Sequence, residues 1–292
     1  MRVLIFGAGF SGRAIGRRLS ADGHPVVGTT RSPERLERLR LAALEPLVFD
    51  GVQGTPELRA ELARTTHLIL SAAPSAEGDP VLNALEGDLG VGTPALRWIG
   101  YLSTVGVYGD RGGNWVAEDD RLDPTSTRGR QRVAAEEAWL RFGAGRGVPV
   151  ALLRLAGIYG PGRNALVNLA EGTAKRVIKP NQVFNRIHVD DIAGATALLA
   201  QKELGGAFNI TDNEPAPPQD VVAFAASLLS VEAPPEVPFE AAEMSPMARS
   251  FYGDNKRVSN ARLRETGYEF RYPDYRTALS DMVARKQWRD EQ

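Results

Sequence analysis

Val3-Leu4-Ile5-Phe6-Gly7-Ala8-Gly9-Phe10-Ser11-Gly12 decides the fold of this 292-residue chain. Four consecutive apolar residues with no polar alternation read as a strand buried on both faces. The glycines that follow have the spacing G-x-G-x-x-G, a helical stretch covers Gly12–Ala21, and a second β-branched run starts at Val26. Strand, glycine turn, helix and second strand, all within about 30 residues, is the context in which this spacing binds a dinucleotide. Gly7 permits the tight turn, Gly9 lets the backbone approach a pyrophosphate, and Gly12 allows the helix to pack closely on the strand. Amides near Phe10 and Ser11, at the positive end of the helix, are expected to hold the phosphates.

The second strand ends Gly28-Thr29-Thr30-Arg31-Ser32. An acidic residue here would accept hydrogen bonds from a ribose 2′-hydroxyl, whereas an arginine suits a 2′-phosphate. Arg31 and Ser32 therefore point to NADP in preference to NAD. Asp50 follows the third strand and is placed to reach the adenine. Ser71, Ala72 and Ala73 follow the fourth and line the adenosine ribose with small side chains.

Working outward, short apolar runs alternate with amphipathic stretches, the pattern of a parallel sheet covered by helices. Strands are expected at Val3–Phe6, Val26–Thr29, Leu47–Phe49, His67–Ser71, Trp98–Ser103 and Val150–Arg154, with two more at Val183–His188 and Ala207–Thr211. Helices are expected at Arg35–Leu41, Asp191–Gln201 and residues 125–142. Thr125 or Ser126 would cap the last of these, with Val133, Ala134, Ala138 and Trp139 facing inward. Asp190 is the expected N-cap of the Asp191–Gln201 helix, and His188 before it is read as structural. The fold class is α/β: a Rossmann doubly wound parallel sheet with a small C-terminal substrate-capping region. Residues 1–162, with 188–212 returning to them, form the dinucleotide-binding domain. Residues 163–187 and the proline-rich 213–292 form the capping region.

Bulk properties exclude several function classes. The chain has 35 Lys and Arg against 36 Asp and Glu, a net charge of −1, which gives no electrostatic case for nucleic acid or an anionic membrane as partner. It has no cysteine, so disulfides and thiolate chemistry are absent and a reducing cytoplasm is the expected location. Three scattered histidines make no metal site. No apolar run approaches the roughly 20 residues that span a bilayer.

Four later motifs, in order, resemble the extended short-chain dehydrogenase/reductase family of NAD(P)-dependent epimerases and dehydratases. These are Leu102-Ser103-Thr104-Val105-Gly106-Val107-Tyr108-Gly109, Arg154-Leu155-Ala156-Gly157-Ile158-Tyr159-Gly160-Pro161-Gly162, Asn185-Arg186-Ile187-His188-Val189-Asp190-Asp191, and Phe208-Asn209-Ile210-Thr211. The resemblance implies a substrate-orienting hydroxyl at Thr104, with Ser103 its neighbour. It also implies a Tyr-x-x-x-Lys pair on the following helix, whose positions here hold Arg128 and Arg132. Arg132 keeps a cation that could bind ribose hydroxyls. Arg128 cannot act as a general acid, because a guanidinium does not release its proton near neutral pH. The acidic pair that follows the threonine in family dehydratases is replaced by Val105 and Gly106, which disfavours dehydration. Tyr108, Arg163 and Asn164 fall where the family contacts substrate, and family members pair as homodimers through helices that include residues 125–142.

The expected function is an oxidoreductase or epimerase-like enzyme using NADP on a small polar, sugar-like molecule, with an atypical active site. The alternative is a non-catalytic protein that senses NADP(H). The lost tyrosine favours the alternative, and the retained Ser/Thr favours the enzyme.

Overall fold

The apolar runs become one seven-stranded sheet in the computed structural model, which describes residues 1–289. Its strands are β1 (Val3–Phe6), β2 (Val26–Thr30), β3 (Glu45–Val48), β4 (His67–Leu70), β5 (Trp98–Thr104), then Val150–Leu155 and Gly206–Ile210. Their spatial order is Gly206–Ile210, Val150–Leu155, β5, β4, β1, β2, β3. Neighbours from β3 to Val150–Leu155 run parallel, and Val3 is in register with both Val26 and His67. Strand order reverses beside β1, and open parallel sheets bind ligands outside the carboxyl ends of their strands at such a reversal.

Between the strands lie α1 (Phe10–Ala21), α2 (Leu36–Leu41), α3 (Pro56–Leu62), α4 (Pro80–Gly92) and α5 (Thr127–Arg146). Leu44 shows how closely α1 packs. A Cβ added to Gly16 of α1 or to Gly28 of β2 would stand 2.7 or 2.6 Å from its side chain. Ser126, not Thr125, caps α5 by accepting from Gly129 N at 3.0 Å. The inward face of α5 is Gly129, Ala135, Glu136, Trp139 and Gly143. Of the expected stripe only Trp139 is fully buried, because the buried Glu136 fixes a different rotation of the helix.

The chain forms two compact units. The first comprises Met1–Val107, Ser126–Leu155 and Ile192–Phe208, and the second Tyr108–Thr125, Ala156–Asp191 and Asn209 onward. Residues 108–125, 156–162, 188–191 and 209–212, which the sequence reading grouped with the dinucleotide domain, lie in the second unit. Trp115–Val116 pairs in parallel with Arg257–Val258, and Lys256 Nζ donates to Gly109 O at 2.7 Å. In the same unit Arg186–His188 pairs with Gly157–Tyr159. This strand is shorter than the expected Val183–His188. The proline-rich segment is more regular than expected: Pro218 opens α8 (the third helix after α5, following Ala165–Ala170 as α6 and Val189–Gln201 as α7), which runs to Leu229. Proline is favoured at a first helical position, where its missing N–H costs nothing. The core of this unit includes Tyr159, Leu166, Val221, Ala225, Tyr275 and Leu279.

One cap differs from expectation. α7 starts at Val189, so Asp190 lies inside its first turn. Its N–H donates to His188 Nδ1 at 3.2 Å, and its carboxylate pairs with Arg271 at 3.1 Å. Among the described residues, no helix is long and apolar enough to cross a membrane, and no group of three His, Cys, Asp or Glu could hold a metal.

Candidate functional site

The glycine turn is held from β2. Gly7 N donates to Thr29 Oγ1 at 3.0 Å and Ala8 N to Thr29 O at 2.8 Å, so the buried Thr29, which the sequence reading passed over, fixes the turn. Gly7 has φ +76°, and a Cβ on it would stand 2.9 Å from Ala72 N, so the exit of β4 touches the turn. A Cβ on Gly12 would stand 3.2 Å from Gly7 O and 3.3 Å from Ile5 Cγ2. Gly7 is therefore required by the fold, and Gly12 sits where a side chain would force its neighbours to shift. Gly9 is different: its φ is −78°, and an added Cβ would meet nothing closer than Gly7 O at 3.9 Å. Intramolecular packing would accept a side chain there, whereas a ligand pressed on the backbone would not. α1 has no capping side chain and no acid in its first turn, which leaves its positive end to an anion. These features fit a dinucleotide pyrophosphate.

The groups around that turn are placed as follows. Arg31 is exposed, and Ser32 leads into the 3-10 turn Pro33–Arg35, its own N–H donating to Thr30 Oγ1 at 3.2 Å. Asp50 is exposed, and its Oδ1 accepts from Val52 N at 2.8 Å and Gln53 N at 3.3 Å. Those amides hold its carboxyl below the usual range. Asp50 thus shapes its own loop as well as standing at the end of the third strand. Ser71 and Ala72 are partly buried and Ala73 is exposed.

At the end of β5 the strand alternation separates the two candidate hydroxyls. Ser103 is buried and donates to Glu136 Oε1 of α5. Glu136 also accepts from Arg154 Nη2 at 2.9 Å and Nε at 3.3 Å. Ser103, the neighbour of the expected hydroxyl, is thus a member of this buried network. Thr104 is partly exposed, and its Oγ1 accepts from Gly106 N at 3.1 Å, which leaves the hydroxyl hydrogen to donate elsewhere. Arg132 donates from Nη1 to Leu102 O and lies 5.6 Å from the centroid of the Tyr101 ring. Arg128 is exposed in the first turn of α5. Tyr101 supplies no substitute acid, since its hydroxyl is buried without a partner and burial pushes its pKa up.

In the second unit two expectations change. Tyr108 is fully buried and donates to Asn209 Oδ1 at 2.7 Å, which makes it a packing residue and not a substrate contact. Asn164 caps α6: Oδ1 accepts from Val167 N at 3.0 Å, and Nδ2 donates to Gly160 O at 2.8 Å and Trp288 O at 2.7 Å. With its amide so committed, it is a structural cap. Arg163 is exposed beside a cavity of this unit. His188 is structural as expected: it is buried against Tyr159 and Tyr272, and burial lowers its pKa to about 4, so the ring is neutral. Sequence reasoning missed Glu136, Arg154 and Arg186. The lone arginine in Val150-Ala151-Leu152-Leu153-Arg154-Leu155 was the available signal, since a charge in a buried strand demands a partner.

Comparison with known proteins agrees with this fold. Residues 95–211 match the profile described as "NAD dependent epimerase/dehydratase family", and residues 2–90 match "NADP oxidoreductase coenzyme F420-dependent". Protein YeeZ of Escherichia coli K12 is 30% identical over 94% of this chain and 97% of its own. A 3-diazoavenalumate denitrifying reductase from a Streptomyces species is 26% identical over 96% of this chain and 99% of its own. A solved structure of a conserved protein of unknown function from Silicibacter pomeroyi is 43% identical, with a TM-score of 0.88 over 98% of this chain and 99% of that one. With the nucleotide turn, the parallel sheet and the β5 threonine in place, the chain belongs to the NAD-dependent epimerase/dehydratase family of extended short-chain dehydrogenases.

Proposed function

We propose that this protein is an NADP(H)-dependent oxidoreductase acting on a small polar substrate without the family's tyrosine acid. The observation that carries the reading is Gly9, the glycine of the turn at which the protein itself leaves room for a Cβ, so that a ligand is the reason we give for the glycine. The dinucleotide, when bound, supplies hydride chemistry. The first turn of α1 binds its pyrophosphate, and Arg31 with Ser32 receives the 2′-phosphate. Thr104 accepts from Gly106 N through one lone pair, which orients the hydroxyl, and donates its hydrogen to the reacting oxygen. Arg132, anchored on Leu102 O and the Tyr101 ring, holds a fixed positive charge beside the end of β5. Arg128 polarises or binds an anionic group but transfers no proton, so the proton comes from water or from the substrate itself. A relative named as a reductase supports reduction as the working direction.

Arg128 in place of tyrosine favours a second reading, in which the protein binds NADP(H) and senses its redox state without turnover. A screen of carbonyl substrates, followed at the nicotinamide absorbance with NADPH, separates the two. Turnover that disappears in Thr104→Val establishes the enzyme. Tight NADPH binding with no turnover across the screen establishes the sensor.

A further inference from the structure

The second unit contains a cavity of about 400 Å³, within the range of small-molecule sites. Its one partly buried charge is Arg186, on the strand Arg186–His188. Two carbonyls occupy a single edge of this guanidinium: Nη1 donates to Phe184 O at 2.9 Å and to Ala216 O at 3.0 Å. Among the described residues no carboxylate pairs with Arg186 and no acceptor meets Nη2 or Nε. The nearby acid, Asp212, attracts the guanidinium from beyond ion-pair distance: its Oδ1 accepts from Glu214 N at 3.1 Å, its Oδ2 is buried without a partner, and burial raises its pKa. Arg163 and Glu171, which also line the cavity, are both exposed. The remaining wall is largely apolar, with Val167, Val221, Val222 and Leu279 among its residues.

A partly buried cation with an open donor edge, no carboxylate at ion-pair distance among the described residues and an apolar wall beside it can take a further anionic partner. We infer that this cavity binds a small carboxylate with an apolar body, Arg186 receiving the carboxylate and the α8 valines covering the body. A guanidinium edge matches a planar carboxylate with two parallel hydrogen bonds. As a statement about the substrate, this deepens and rests on the oxidoreductase reading; as a binding site, it stands on the second unit alone.

Calorimetry on the full chain tests it with butyrate, 4-methylpentanoate and 3-phenylpropionate, each against its neutral amide, and with inorganic phosphate. At least one acid binds, and its amide binds about tenfold more weakly or worse, the expected effect of losing a charge-assisted pair. Arg186→Gln loses about tenfold or more of the acid's affinity, and Arg186→Lys retains part of it. Val222→Asp, which places a carboxylate in the cavity without touching Arg186, also weakens the acid. If no acid binds, if acid and amide bind alike, if phosphate binds as tightly as the best acid, or if Val222→Asp and Arg186→Gln leave affinity unchanged, the inference is overturned. NADPH titrated into the same samples separates the two claims. Acid binding without NADPH binding leaves the site and removes the oxidoreductase reading, and NADPH binding without acid binding does the reverse.

Discussion

Ser103 donates its hydroxyl hydrogen to Glu136, and the same carboxylate is paired with Arg154 at 2.9 Å. The three residues are 4%, 2% and 5% exposed, so the network is shielded from water and joins β5, α5 and the strand Val150–Leu155 one residue before Thr104. A buried ion pair adds little over a well-packed apolar substitute, but removing one partner strands the other charge.

Glu136→Gln keeps the side-chain shape and leaves Arg154 uncompensated, so it costs about 3–5 kcal/mol in urea denaturation. Ser103→Ala removes only one hydrogen bond and costs about 1 kcal/mol. Ser103→Ala also retains whatever turnover the wild type shows, whereas Thr104→Val loses it. A stable Glu136→Gln, or activity lost in Ser103→Ala with the fold intact, contradicts this division of roles.

On the proposed reading, Arg31, one residue past β2, selects the nucleotide. Arg31→Asp removes the contact to the 2′-phosphate and adds repulsion, so NADPH affinity falls by about 10- to 100-fold. NADH affinity stays level or rises, because the new carboxylate can accept from a ribose hydroxyl. The check is fluorescence titration of both nucleotides. Equal losses for NADPH and NADH would show that Arg31 shapes the loop and does not read the phosphate.

His188 gives a pH signature of definite sign. Its pKa falls from 6.5 in the unfolded chain to about 4 in the fold, mainly through burial. Above pH 6.5 both states hold the neutral ring. As pH falls from 6.5 to 4 the unfolded chain takes up a proton that the native state refuses, and up to about 3 kcal/mol of stability is lost. His188→Gln lacks this loss, so its stability deficit against wild type shrinks across that window. Asp212 acts in the opposite sense: its pKa is raised from 3.8 to about 8, so its share of stability is full below 3.8 and lost as pH rises to 8. Asp212→Asn therefore gains on wild type as pH rises. Denaturant midpoints measured from pH 4 to 8 decide both, and parallel curves for variant and wild type refute them.

The strands and the nucleotide turn were legible because local rules govern them. Val3–Phe6 can only be a buried strand, and Gly7–Gly12 has a spacing whose context lies within the next strand. What stayed hidden depends on contacts distant in the chain. Whether Ser103 or Thr104 faces the ligand side turns on Glu136, 33 residues later. Asp190 reads as a cap by type, yet the imidazole of His188 accepts the α7 N–H instead. Tyr108 sits in a motif beside the reacting centre, but its hydroxyl belongs to Asn209, 101 residues away. Arg186 reads as one more polar residue in a short strand, and only the fold shows that it lines a cavity with no carboxylate at ion-pair distance among the described residues.

The central claim is that the turn at Gly7–Gly12 holds a nicotinamide dinucleotide, and Gly9→Ala tests it most directly because the protein has room for that methyl group. Calorimetric titration of NADPH into wild type and Gly9→Ala is the measurement, with thermal unfolding run alongside. The account predicts saturable binding of one nucleotide per wild-type chain, and a loss of about tenfold or more in the variant at unchanged unfolding temperature. Wild type that binds neither NADPH nor NADH, or a Gly9→Ala chain that binds as tightly as wild type, would contradict it.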